Sequence, residues 1–91
     1  MSYTVAKIST PDGVAFTARD DQRTCLDLIL QAIRVVEQDL KPSMLYQSIY
    51  KHQQCSVTII QKGLRKNQAD NIKKILINYE QLMGNTVLNA K

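Results

Sequence analysis

The sequence predicts an α+β fold: a small three-stranded antiparallel sheet that begins with an N-terminal hairpin and carries flanking helices. Three observations lead there. Tyr3–Ser9 and Val14–Ala18 read as short strands on either side of Thr10-Pro11-Asp12-Gly13, a turn in which proline fixes φ, aspartate holds its own backbone and glycine accepts positive φ. Two later stretches place apolar residues every three or four positions, the helical period. Near the middle of the chain, Cys55–Gln61 concentrates Val57, Thr58, Ile59 and Ile60, β-branched residues whose stiff side chains suit a pleated strand.

The hairpin needs cover, because two strands alone are barely stable in water. Between Asp20 and Leu40, the residues Cys25, Leu28, Ile29, Ala32, Ile33, Val36 and Leu40 define one apolar helix face. Asp20 and Asp21 fall where first-turn acids or a cap favour the positive helix end. Lys41-Pro42-Ser43 ends the run, since proline disfavours the α region for the residue before it. Ser43 then caps a shorter helix to about Lys51, with Met44, Leu45, Ser48 and Ile49 inward. Gly63 is a breaker after the third strand. From Lys66 the helical period returns through Ala69, Ile72, Ile75, Leu76, Tyr79 and Leu82 or Met83, with Gly84-Asn85 as its stop. Thr86–Asn89 is a short closing strand or an extended tail. The order β-β-α-α-β-α contains no repeat and no linker, so residues 1–91 read as a single small domain.

With 44% apolar and 22% charged residues, the composition is that of a globular chain. One Phe and no Trp leave the core to Ile, Leu and Val. No apolar run approaches the roughly 20 residues that span a bilayer, and Met1-Ser2-Tyr3-Thr4 lacks a basic region leading into an apolar one. No membrane association is expected, and the location expected is cytoplasmic. Cys25 and Cys55 accordingly read as free buried thiols, a disulfide being the alternative for a secreted chain. Neither pairs with the lone His52 at zinc-ligand spacing. No metal and no cofactor is expected.

Charge is distributed unevenly. Residues 19–40 carry three basic against five acidic side chains, whereas residues 41–91 carry eight basic against Asp70 and Glu80 alone. Lys62, Arg65 and Lys66 surround the start of the last helix, where their charge adds to the helix's own positive end. Lys73 and Lys74 lie one to two turns on. Such a surface suits the phosphate backbone of DNA or RNA, with weak sequence preference and steep salt dependence. It also suits a solvated face, or a homo-oligomer that sets the acidic first helix of one subunit against the basic half of another.

Catalytic constellations are thin. His52 near a helix end reads as a local structural residue before it reads as a base. Neither cysteine has a histidine beside it in sequence. Asp12 is the turn residue, and Asp20 with Asp21 holds a divalent ion only if another carboxylate converges. Tyr46, Tyr50 and Tyr79 either stack bases or pack between elements.

Taken in order, these elements resemble the GIY-YIG nuclease family, whose small domain opens with a hairpin carrying its two named tripeptides. Thr4-Val5-Ala6-Lys7-Ile8 occupies the first tripeptide and the residues after it, Pro11-Asp12-Gly13 the hairpin turn, and Ala15-Phe16-Thr17 the second tripeptide. Tyr46–His52 with Ser56–Ile60 is similar to the family's helix-to-strand passage, Gly63–Ala69 with Ile72–Ile77 to its last-helix pattern, and Gly84–Asn89 to its closing segment. The resemblance implies a nuclease scaffold without its chemistry. The tyrosine positions hold Ala6 and Ala15, the second tripeptide's glycine is Thr17, and the metal-binding glutamate falls on Lys73, which repels a cation. Arg23 stands near the family's arginine.

The function expected is therefore a non-enzymatic nucleic-acid-binding accessory or regulatory protein, with a small viral accessory protein among the fitting origins, binding through Arg23, Lys62, Arg65, Lys66, Lys73 and Lys74. The alternatives are a protein-interaction or self-assembly module and a weak metal-dependent nuclease.

Overall fold

Strands β1 (Tyr3–Thr10) and β2 (Gly13–Arg19) pair antiparallel without interruption from Thr4 opposite Arg19 to Thr10 opposite Gly13. Pro11 and Asp12 are therefore the whole hairpin loop. The structure is a computed structural model that describes residues 2–89; Lys91, one of the basic residues of the C-terminal block, lies outside them. Strand β3 (Ser56–Leu64) pairs antiparallel with the other side of β1, giving the order β2-β1-β3.

Because β1 is central, its alternation sets the layers. Ala6 and Ile8 face one way, Val5 and Lys7 the other. Helices α1 (Cys25–Glu37) and α2 (Met44–His52) cover the first face, where Ile8, Ala15, Leu28, Ala32, Leu45, Ile49 and Leu88 form one buried cluster. Helix α3 (Lys66–Leu82) covers the second, over Val5, Leu64 and Ala69 with Tyr3, Ala18, Ile72 and Leu76 packed around them. Phe16, the one phenylalanine, pairs with Lys7 across the hairpin and is buried; that burial contributes about 1.5–3 kcal/mol. The chain is the expected α+β fold, a three-stranded antiparallel sheet with three helices.

Helix α1 begins where its apolar period does, at Cys25, and so later than a cap at Asp20 or Asp21 would place it. Thr24 caps it: the Thr24 hydroxyl accepts from the Asp27 backbone N–H, and the Asp27 carboxylate accepts from the Thr24 N–H, a reciprocal pair that fixes the start. Asp20 and Asp21 precede the helix, and Asp21 binds Arg19 instead. At the other end Asp39 takes φ 51°, while the Leu40 N–H bonds the Val35 carbonyl and the Asp39 N–H that of Val36. This closes a Schellman turn before Leu40, which is exposed. The inward face is Leu28, Ala32 and Val35, with Ile29 packed at its margin.

Ser43 caps α2 as expected, its hydroxyl accepting from the Tyr46 N–H, but Met44 is exposed and the inward residues are Leu45, Ser48 and Ile49. Gly63 is not a break between elements; it lies inside β3, within the second of two register shifts that separate Ile59 from Leu64. Cys55 immediately precedes that strand.

Helix α3 differs most from its sequence pattern. Ala69 and Glu80 are its buried residues, whereas Ile75, Tyr79 and Leu82 are 66%, 57% and 87% exposed, and Met83 just after the helix is also exposed. The apolar residues of α3 span more than the arc that a narrow sheet covers. The helix sits over β1 and β2 and leaves one flank open. Gly84, at φ +80°, ends it with the Asn85 N–H bonded to the Glu80 carbonyl and the Gly84 N–H to that of Gln81, the second Schellman turn.

The closing segment is a single parallel bridge, Val14 with Val87. The Val14 N–H bonds the Thr86 carbonyl at 3.0 Å and the Leu88 N–H bonds the Val14 carbonyl at 2.7 Å. Gly13 permits this approach: a Cβ there would stand 2.6 Å from the Thr86 carbonyl oxygen.

Candidate nucleic-acid interface

Leu64 is the anchor from which the basic cluster is built. Its buried side chain joins Val5 and Ala69 beneath the first turn of α3, so the residues around it, Lys62, Arg65, Lys66, Asn67 and Gln68, face outward and are exposed. Arg65 is the N-cap residue in extended conformation, and its backbone N–H donates to the Gln68 side-chain oxygen at 3.0 Å. An arginine side chain has no acceptor with which to cap the first-turn N–H groups, so the positive end of α3 stands beside three cations.

Lys66 and Lys73 are two turns apart on one flank, about 10 Å along the axis. Lys73 borders an open groove with Asp70, Lys74, Ile77 and Asn89. Two ion pairs occur among the described residues, Lys7 with Glu80 at 3.4 Å and Arg19 with Asp21 at 2.6 Å, and His52 stands 3.1 Å from Asp12, a contact that is ionic only with a protonated imidazole. None of Lys62, Arg65, Lys66, Lys73 and Lys74 takes part in them.

The acids are largely spoken for locally. Asp27 belongs to the α1 cap, and Glu37 accepts from the Tyr50 hydroxyl. Glu80 binds the Asn85 amide and Lys7, which together hold its carboxyl below the ordinary value against the opposing effect of burial. This Lys7 contact pins the C-terminal half of α3 to the central strand, a link the strand's alternation alone did not reveal.

Arg23 is set apart from the cluster. It lies in the β2–α1 connection, donates to the Tyr46 hydroxyl at 2.9 Å, and borders a small cleft with Thr4, Arg19 and Ile59 on the α1/α2 face. Tyr46 is thus engaged within the fold, while Tyr79 is exposed on α3.

A polar cluster that sequence reasoning missed joins the hairpin loop to α2. The Ser48 hydroxyl lies 2.7 Å from Asp12 Oδ2 and 2.8 Å from Thr10 Oγ1, and His52 Nε2 is 3.1 Å from the same Asp12 oxygen. Ser48 has one proton, and the carboxylate is its stronger acceptor. That bond, more than the nearby His52 and Lys51 charges, holds the Asp12 carboxyl below its ordinary value, with burial opposing. Asp12 stands between hydroxyl and imidazole and Ser48 is buried, so the cluster latches the turn onto the helix; it does not pair a nucleophile with a base. The i, i+4 spacing of Ser48 and His52 was the available signal.

Cys25 and Cys55 are free and half-buried, and Cys55 Sγ lies 3.9 Å from the Cys25 carbonyl oxygen. Burial, with the neighbouring Cys25 adding to it, pushes the Cys55 thiol up to about 11, which keeps it protonated and a poor nucleophile at neutral pH. Among the described residues no three His, Cys, Asp or Glu side chains gather where they could hold a metal ion, and no helix is long and apolar enough to cross a membrane.

The positions that the nuclease resemblance equates with catalytic residues separate in space. Ala6, Ala15 and Thr17 lie on the α1/α2 face, where Ala6 pairs with Thr17, and Lys73 lies on α3 across the sheet. Compared with known proteins, the chain matches no family model, no curated protein and no solved structure.

Proposed function

We infer that the protein is a non-enzymatic nucleic-acid-binding accessory or regulatory protein, which grips the phosphate backbone of DNA or RNA with Lys62, Arg65, Lys66, Lys73 and Lys74. One observation carries this reading: these five cations run from the end of β3 over the start of α3 and along one flank of that helix, and none has a carboxylate partner among the described residues, whereas Lys7 and Arg19 are neutralised. Unpaired cations beside a helix N-terminus attract phosphate and release its counterions on contact. A cytoplasmic regulatory or viral accessory role, on a scaffold descended from a GIY-YIG-like nuclease, accords with a surface that holds nucleic acid without a carboxylate set to cut it.

The test is a titration of labelled single- and double-stranded DNA and RNA at low ionic strength. Micromolar or tighter binding with little sequence preference is expected, and Arg23→Ala leaves it intact because Arg23 lies across the sheet. No binding to any of the four would sink the reading.

A protein-interaction role is favoured by a different observation. Leu26 and Leu30 on α1, and Ile75, Tyr79 and Leu82 on α3, are all more than half exposed. Clustered exposed apolar side chains are where protein contacts form.

A further inference from the structure

The two edges of the sheet are treated differently. The outer edge of β2 is occupied by Thr86 and Leu88, which bond Val14, and by the Asn89 side chain, which bonds Phe16. The outer edge of β3 has no partner strand among the described residues. Nine residues of β3, about 30 Å of strand, thus offer backbone groups to another chain.

The two halves of β3 are unlike. From Ser56 to Ile59 the strand follows β1 in unbroken register, opposite Ser9 to Ala6. Beyond Ile59 the register shifts twice before Leu64, and this part carries Lys62 and Gly63. Bulges and lysines are the devices by which proteins guard an open edge. The guards begin at Ile60, the first bulged residue. Ser56-Val57-Thr58-Ile59-Ile60 has no charge, proline or glycine, and four of its five residues are exposed.

We propose that Ser56–Ile60 pairs antiparallel with the same segment of a second copy of this chain, about a two-fold axis at Thr58. Antiparallel pairing at this register sets Val57 of each copy beside Ile59 of the other, two β-branched cross-strand pairs, on the face where Val57 and Ile59 already border the cleft with Ala6, Ile8 and Leu28. It also keeps like charges apart. The two Lys62 side chains fall eight strand positions from each other, about 27 Å, well beyond a screening length of about 8 Å in physiological salt. A register centred on Ile60 instead sets bulge against bulge and brings the lysines to about half that distance.

The partner is a second copy because of what the pairing leaves at the ends. The joined sheet has six strands, and its two outer edges are both β2 edges, each already occupied by its own Asn89. A two-fold contact therefore closes the assembly. A foreign strand would leave its own far edge open.

The experiment is solution mass, measured by sedimentation equilibrium from micromolar to several hundred micromolar, with the variants Thr58→Lys and, at an exposed position of α2, Gln47→Lys. A lysine at the axis sets two like charges side by side. The wild type and Gln47→Lys should reach twice the mass of one chain. Thr58→Lys should dissociate at least about tenfold more readily, with an unchanged far-UV circular dichroism spectrum to show that it folds. A wild type that stays monomeric, a mass that grows past the dimer, or a Thr58→Lys variant that dimerises like the wild type would each overturn the proposal. So would β3 amides that gain exchange protection only on adding an extended peptide, which would assign the edge to a foreign strand. Nucleic-acid binding is read separately by titration, so either proposal can fail without the other.

Discussion

Asn89 closes two hydrogen bonds on the backbone of Phe16: its Oδ1 accepts from the Phe16 N–H at 3.3 Å, and its Nδ2 donates to the Phe16 carbonyl at 2.7 Å. One side chain thereby does what a further residue of strand would do, and the outer edge of β2 is held where the closing segment runs out. Asn89→Ala should lower stability by about 1–2 kcal/mol, read as a reduced urea midpoint with unchanged slope, and should speed hydrogen exchange at the Phe16 amide. An unchanged midpoint and exchange rate would mean that this edge is not held.

Gly13 makes the same arrangement possible from the other strand. Gly13→Ala brings a Cβ to 2.6 Å from the Thr86 carbonyl oxygen, so the closing segment must shift, at a cost of about 1–3 kcal/mol. The two substitutions act on one segment and should be non-additive: in an Asn89→Ala background the Gly13→Ala penalty shrinks. Strict additivity in a double-mutant cycle would count against a shared segment.

Removing Thr24 tests the start of α1. Thr24→Ala deletes the hydroxyl that accepts from Asp27 and should cost about 1 kcal/mol, seen as a lower thermal midpoint with the native spectrum retained. No change would mean that the cap contributes nothing.

Acid should destabilise the fold over a defined window. Asp12, Asp27 and Glu80 are all held below their ordinary values of 3.8, 3.8 and 4.5. Each contributes stability that is fully present above the ordinary value and lost as pH falls through the lowered one. Unfolding followed against pH should show the decline only below about pH 4–5. Because the Ser48 hydroxyl is the largest cause at Asp12, Ser48→Ala should move the Asp12 titration seen by NMR back toward 3.8; an unmoved titration would assign that depression to His52 and Lys51.

How much of this was legible in the sequence differs by element. The hairpin announced itself through Pro11, Asp12 and Gly13, and α2 through Ser43, because turn and cap chemistry is local. The true start of α1 was also local, in Thr24 and Asp27, but Asp20 and Asp21 just upstream offered the same cap chemistry and obscured it. Leu40 itself comes after a Schellman turn with Asp39 at the left-handed position usually taken by glycine, so the stop signal that composition did offer, Pro42, marked the end a few residues late. On α3, Ile75, Tyr79 and Leu82 keep a helical period yet stay exposed, because periodicity says that residues share a side and not that a narrow sheet reaches them. The basic residues of α3 were readable as a run of charge. That Arg23 stands across the sheet from them depends on topology, as does the meeting of Asp12, Ser48 and His52.

Phosphate binding by the start of α3 is read most directly from the slope of log binding constant against log salt concentration for a short DNA duplex. Each neutralised phosphate contributes a slope of about −0.9. With three to five of Lys62, Arg65, Lys66, Lys73 and Lys74 in contact, the expected slope is about −2.7 to −4.5, becoming shallower when Lys66→Glu and Lys73→Glu are combined. A slope near zero, or one that the double substitution leaves unaltered, would contradict the assignment of nucleic-acid binding to this end of α3.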